Sequence, residues 1–306
     1  MRKVSRKITI FLAMVMLVST FTGCNTHQYA ETEESLIVSA EELKGYIGKE
    51  NVVIVDMQSA DGYAAGHVEG AVNIQNGDIT INVPVSTMLT SAKKMESLMG
   101  SKGISNDTLV IAYDTNKMSA SRLLWSLFMY GHENVKVVDG GLDAIKAAGI
   151  TLTTDVPTVT ETTFTAKEPS QNWLATKKEV LAQVNNPNAN VILLDVRSDA
   201  EYYEEGKIPT SIMREYINNF YSVDGTFKSV QTTKIDYLEL GIYPENEIII
   251  FCKSSMRACP VFVQLYEAGY RNIRIYDGAF LEWSSDSTNP IEMPEGTKAP
   301  EKNDAS

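Results

Sequence analysis

Cysteine, histidine and tryptophan are each limited to three residues in 306. So few cysteines exclude a disulfide-built scaffold, and each thiol needs its own explanation. The histidines, His27, His67 and His132, stand far apart, and their spacing suggests no metal centre. Positive charge is also short: 27 Lys and Arg face 39 Asp and Glu, a formal net charge of −12. Such a surface repels phosphate backbones, so nucleic acid is excluded as a partner. The charge-free apolar run Ile8–Val18 falls short of the ~20 residues that a spanning helix needs. What remains is ordinary globular composition, 43% apolar and 22% charged, with length for two domains and no motif that asks for a cofactor.

The N-terminus stands apart from the fold. Arg2, Lys3, Arg6 and Lys7 precede the apolar run, and small and polar residues follow it, as in a secretory signal over residues 1–23. Phe21-Thr22-Gly23-Cys24 resembles a bacterial lipoprotein cleavage box, which implies a lipid on Cys24. The alternative is an uncleaved anchor, which leaves the domains on the same side of the membrane. Without residues 1–23 the chain keeps 23 basic against 39 acidic residues, a formal net charge of −16. Anionic headgroups would not attract that surface, so the lipid must do the anchoring. Residues 24–35 read as an acidic, lipidated tether. The expected location is the cell envelope, outside the cytoplasm.

An internal repeat organises the rest. Leu109–Ile145 aligns without a gap on Glu247–Trp283, matching Met118 to Met256, Ala120 to Ala258, Gly131 to Gly269 and Asp139-Gly140 to Asp277-Gly278. Val52–Tyr63 aligns on Val191–Tyr202 at nearly the same offset. Two matched blocks in one order mean a duplicated domain. VVIVD, VILLD, LVIAY and IIIF are short apolar runs of the kind that form buried parallel strands. Amphipathic stretches follow at Ser119–Tyr130 and Ala258–Ala268, ended by Gly131 and Gly269. The expected fold is α/β, with a small parallel sheet flanked by helices in each copy. The expected boundaries are residues 36–155 and 173–290 for the domains, 156–172 for a linker and 291–306 for a mobile tail.

Ligands of open parallel sheets sit at the carboxyl ends of the strands. In the second copy that point is Phe251-Cys252-Lys253-Ser254-Ser255-Met256-Arg257. A helix start, loop N–H groups and a nearby arginine each favour a thiolate. Cys252 is therefore the candidate nucleophile. Arg257 and the loop residues Lys253, Ser254, Ser255 and Met256 form an anion-binding cradle around it. Taken alone, Cys252 reads equally as a small buried hydrophobe at a strand end.

CKSSMRA resembles the Cys-x-x-Gly-x-Arg loop of rhodaneses, and VILLDVRSDAEYYEEGKIP (Val191–Pro209) is similar to their Asp-Val-Arg segment. VDGTFKS (Val223–Ser229), GHVEGAVNI (Gly66–Ile74) and YGHENVKVVDGG (Tyr130–Gly141) resemble stretches of the two-domain thiosulfate and mercaptopyruvate sulfurtransferases. The resemblance implies tandem rhodanese-like domains and transfer of sulfane sulfur. A small anionic donor, thiosulfate or 3-mercaptopyruvate, would load Cys252 as a persulfide, and a thiol or cyanide would unload it. It also implies that Arg197 contacts the donor. The competing reading for Arg197 is a structural ion pair with Asp195 or Glu201.

Departures are visible. Ser255 stands where the family's loop has Gly, Lys207 where it has His, and Thr210-Ser211 where it has Gly-Ala. The first copy has Asp114 for Cys252 and Ser119 for Arg257, so its domain should be catalytically silent. Arg122 reads as an interdomain or surface charge. Cys259 reads as a residue facing its own core, or else as a resolving thiol that would make the chain a thiol–disulfide oxidoreductase. A non-catalytic lipoprotein that binds or senses reduced sulfur is the alternative to an enzyme. A phosphatase loop needs five residues between Cys and Arg, and here only Lys253 to Met256 intervene.

Overall fold

The computed structural model describes residues 35–295. The signal segment, Cys24 and most of the C-terminal tail lie outside the described residues. Among the described residues no helix is long and apolar enough to cross a membrane.

The first sheet has five parallel strands: β1 (Ile37–Val38), β2 (Val52–Asp56), β3 (Val72–Asn73), β4 (Leu109–Tyr113) and β5 (Val135–Val138), in the order β1-β5-β4-β2-β3. The second sheet repeats it with β6 (Leu174–Ala175), β7 (Val191–Asp195), β8 (Ile212–Met213), β9 (Glu247–Phe251) and β10 (Ile273–Tyr276), in the order β6-β10-β9-β7-β8. The central strands are β-branched apolar runs, buried on both faces as parallel strands are. Their register brings the C-terminal residues Asp195 and Phe251 side by side, as it does Asp56 and Tyr113.

Four helices matter to the site: α1 (Ser119–Met129), α2 (Asp199–Glu205), α3 (Ala258–Glu267) and α4 (Ala279–Ser285). Every residue of α1 is buried, because one side covers its own sheet and the other meets α3 of the second copy. Phe128 packs edge-on against Phe262 and Tyr266, with ring centres 6.1 and 5.8 Å apart. Trp173 joins them, and its carbonyl accepts the Trp125 indole N–H at 3.2 Å. The fully buried rings Phe128 and Phe262 each contribute roughly 1.5–3 kcal/mol. One continuous core therefore runs through both copies.

The copies also exchange backbone contacts in mirror fashion. Asp277 accepts the N–H of Leu89 at 2.7 Å, and Asp139 accepts the N–H of Phe227 at 2.8 Å. These are equivalent residues of the repeat, so the two domains face each other about a local pseudo-twofold axis.

Two segments are more tightly held than their composition suggests. The stretch 156–172 lies along the first domain. Thr162 donates to Gly100 O and Lys167 to Tyr130 O, each at 3.0 Å, and Phe164 is buried. Close approach demands the glycine there, since a Cβ on Gly100 would sit 2.6 Å from Thr162 O. The stretch expected as a tail from residue 291 has backbone partners at its start. Lys207 and Glu292 exchange backbone hydrogen bonds at 2.8 and 3.0 Å. The isolated bridge supplies backbone partners that the polar composition did not reveal.

Candidate active site

Cys252 follows β9 directly and is fully buried. Its carbonyl and that of Lys253 accept the N–H groups of Phe280 and Leu281, each at 3.0 Å, which ties the loop to the start of α4. The chain then turns sharply and enters α3 at Arg257. Ser255 makes the turn with φ +59°, a left-handed conformation that costs a non-glycine residue roughly 1–2 kcal/mol. The first copy turns the same way, with Lys117 at φ +62°.

That first loop shows what its amides hold. The Asp114 carboxylate points back into the turn and accepts N–H groups from Lys117 and Ala120, each at 2.9 Å. Burial pushes the Asp114 carboxyl pKa up, while bonds from the amides of residues 116, 117, 119 and 120 oppose the shift. In the second copy the matching positions are Ser254, Ser255, Arg257 and Ala258. The N–H groups of Ser254, Ser255 and Arg257 bond to no acceptor among the described residues, whereas Ala258 N–H donates to Ser255 O at 3.2 Å. Cys252 thus takes the repeat position of Asp114, at the start of a turn that carries three such N–H groups.

Arg257 is beside this turn. Its guanidinium grips Glu201 of α2 through two bonds, 2.5 and 2.7 Å long. Burial works against the Glu201 carboxylate, but Arg257 and the Ser198 cap outweigh it and lower the pKa to about 2. Burial likewise disfavours the Arg257 cation, and the hydrogen bonds and charge of Glu201 raise its pKa instead. Half-buried Tyr216 lies within electrostatic reach of Arg257 and Cys252. Burial raises the pKa of its phenol.

Arg197 is fully buried and turned onto Asp195, with contacts of 2.6 to 3.0 Å, and onto Gly206 O at 2.7 Å. Burial raises the Asp195 pKa against the pull of that arginine. Phe280 covers the guanidinium at 3.8 Å. In the first copy Gln58 makes the equivalent bond to Asp56 at 2.8 Å. The ion pair therefore closes the end of a strand, and of the two carboxylates considered for it, Asp195 is the partner. Glu201 belongs to Arg257.

Lys253 reaches outward to Glu205, which also lies 3.6 Å from Arg197. The Ser254 carbonyl accepts the Thr87 hydroxyl at 2.5 Å, and Met256 N–H closes back on Ser254 O at 2.9 Å. The Ser255 hydroxyl points away from the cradle, so this residue offers an anion its N–H alone. Cys259 faces the core behind the loop and donates to Ser255 O at 3.4 Å. Burial pushes its pKa up to about 12.

Glu201, Glu205 and Tyr216 were not singled out as site residues in the sequence. Glu201 carried one usable signal, its place four residues after Arg197 in the matched segment. A groove of about 800 Å³ opens over the first copy's loop, beside Asp114, Lys117, Asp139 and Asp224. No cysteine lines it.

Comparison with known proteins agrees with the tandem fold. The Rhodanese-like domain model matches residues 39–148 and again 176–286. A relative from Mycolicibacterium smegmatis is 30% identical over 275 residues, covering 84% of this chain and 98% of its own. The thiosulfate sulfurtransferase of Corynebacterium glutamicum is 29% identical over 289 residues, covering 89% of this chain and 94% of its own. Among solved structures, the anaerobic ergothioneine biosynthesis enzyme from Chlorobium limicola superposes with a TM-score of 0.75. It is 23% identical and covers 85% of this chain and 71% of its own, a likeness of fold.

Proposed function

This chain belongs to the rhodanese-like family and is a sulfurtransferase, and from that premise we propose that Cys252 carries sulfane sulfur as a persulfide. The donor is anionic, thiosulfate or 3-mercaptopyruvate, and the acceptor is a thiol or cyanide. The observation that most supports this is the Asp114 loop. There the amides converge on a charged group that leaves the backbone through one methylene. A persulfide on Cys252 is also an anion one methylene from the backbone, and the matching N–H groups would face it.

The chemistry balances without an outside oxidant. The Cys252 thiolate attacks the outer sulfur of thiosulfate, the donor's S–S bond breaks, and sulfite leaves with the electron pair. With 3-mercaptopyruvate the C–S bond breaks and pyruvate enolate leaves, to be protonated. An acceptor thiolate then attacks the outer sulfur and restores the Cys252 thiolate. Cyanide leaves as thiocyanate. In this reading Arg257 meets the donor's charge and Glu201 gives way to it. Burial of Cys252 keeps water from the loaded sulfur.

The test is intact mass of the purified protein after thiosulfate, then after a thiol. The expected result is a gain of one sulfur atom, lost again to the thiol, and no gain in Cys252→Ser. A Cys252→Ser protein that still gains sulfur or turns over sinks the proposal.

We also propose that Cys24 is the lipidated residue and that the enzyme works at the outer face of a membrane. The signal-like segment before Cys24 and the strongly acidic remainder support this. Metabolic labelling with a fatty acid tests it. Label that persists in Cys24→Ser counts against the assignment.

A further inference from the structure

We propose that Arg122, a residue of the copy without a nucleophile, is a positioning residue that fastens the Cys252 loop in its left-handed turn through the Ser255 hydroxyl. The inference rests on Cys252 being the sulfur carrier.

Arg122 extends from α1 across the domain boundary and is fully buried. Its Nη1 donates to Ser255 Oγ at 2.9 Å and to Asp277 Oδ1 at 2.8 Å. Its Nη2 donates to Thr87 O at 2.8 Å. The Ser255 hydroxyl then donates to the same Asp277 oxygen at 2.8 Å, which closes a triangle of guanidinium, hydroxyl and carboxylate. Thr87 binds the loop a second time, through its hydroxyl to Ser254 O. Three groups therefore hold the two turn residues from behind, two of them from the first copy.

The device runs one way. The repeat position equivalent to Arg122 is Pro260, which offers no donor to the first copy's loop. The first copy's turn residue, Lys117, instead lays its ammonium over Phe220 at 5.4 Å. Glycine adopts this turn without help, while serine resists it. At Ser255 the resistance is overcome by a side-chain tie, and that tie ends on the neighbouring domain. The Ser255 N–H shares its peptide plane with the Ser254 carbonyl that Thr87 holds, so a turn that relaxes would re-aim that donor.

The prediction is a coupling between two positions. Arg122→Lys keeps a cation for Asp277 but loses the fork that reaches Ser255. In the Ser255 protein it should lower kcat/KM and the rate of Cys252 alkylation about tenfold, since small misplacements of a reacting group are costly. In a Ser255→Gly background, where the turn needs no tie, the same change should cost under about twofold. Equal losses in both backgrounds overturn the proposal, because a purely structural arginine acts alike in each.

Ser255→Ala leaves the Arg122–Asp277 pair whole and provides a second reading, whatever Arg122→Lys does to folding. It should slow Cys252 alkylation by about tenfold with its melting temperature tracked alongside. Alkylation at the unmodified rate overturns the proposal. Cys252→Ser serves as the separate control. Turnover surviving in it removes the persulfide reading, whereas the alkylation coupling reports on the loop alone.

Discussion

Glu201 holds both terminal nitrogens of Arg257, at 2.5 and 2.7 Å, beside the buried Cys252. An internal carboxylate thus occupies the cation that an anionic donor would need. The pair ties α2 to the start of α3.

Replacing Glu201 with Gln should lower the KM for thiosulfate by roughly threefold, because the donor no longer competes with a carboxylate. Steady-state kinetics measure this. An unchanged KM would mean that Arg257 does not meet the donor.

The same pair predicts a pH dependence. The folded Glu201 pKa of about 2 lies below the usual 4.5, so its stabilisation is complete above about pH 4.5. It is lost as pH falls toward about 2, where the folded carboxylate is protonated as well. The difference in urea midpoint between wild type and Glu201→Gln should therefore be largest at neutral pH and shrink in acid. A difference that grows on acidification would reverse the sign of the argument.

Arg257→Ala should lower kcat/KM by about a hundredfold and also cost about 1 kcal/mol of stability, since Glu201 loses its partner. Adding Glu201→Gln should restore much of the stability and none of the turnover. Recovery of both would make Arg257 structural.

Limiting iodoacetamide near neutral pH should label Cys252 well before Cys259. Both thiols are buried, but at Cys259 burial pushes the pKa up to about 12, so its thiolate is scarce. Peptide mapping reads the order. Labelling of Cys259 at an equal rate would argue against the site.

Asp114→Cys should add no second sulfur-loading site, because Ser119 stands where Arg257 would have to be. The change also removes a carboxylate that satisfies several buried amides, at a cost of about 1–3 kcal/mol. Intact mass after thiosulfate should show a single sulfur. Two sulfurs per chain would show that the first loop is competent.

Much of the fold was legible before any coordinates. The apolar runs ending in Asp195 and Phe251 are strands because continuous β-branched stretches must be covered on both faces. The repeat showed two such sheets, and the strand–loop–helix order located Cys252 and Arg257. Local chemistry suffices there, since a few neighbouring residues decide strand, turn and helix start. The sequence also marked Ser255 as a departure, without the means by which serine holds a glycine's turn.

That means, and the partners of Arg257 and Arg122, were decided by tertiary structure. Arg257 pairs with Glu201, Arg197 with Asp195 and Arg122 with Asp277, across separations of 56, 2 and 155 residues. Only Arg197–Asp195 lies within one local segment, and it alone was foreseen among the possibilities. Arg122–Asp277 depends on how two copies of one fold face each other, and Arg257–Glu201 on how two helices meet within the second copy. An ion pair forms where side chains are brought together and cut off from water, and no pattern along the chain encodes that approach.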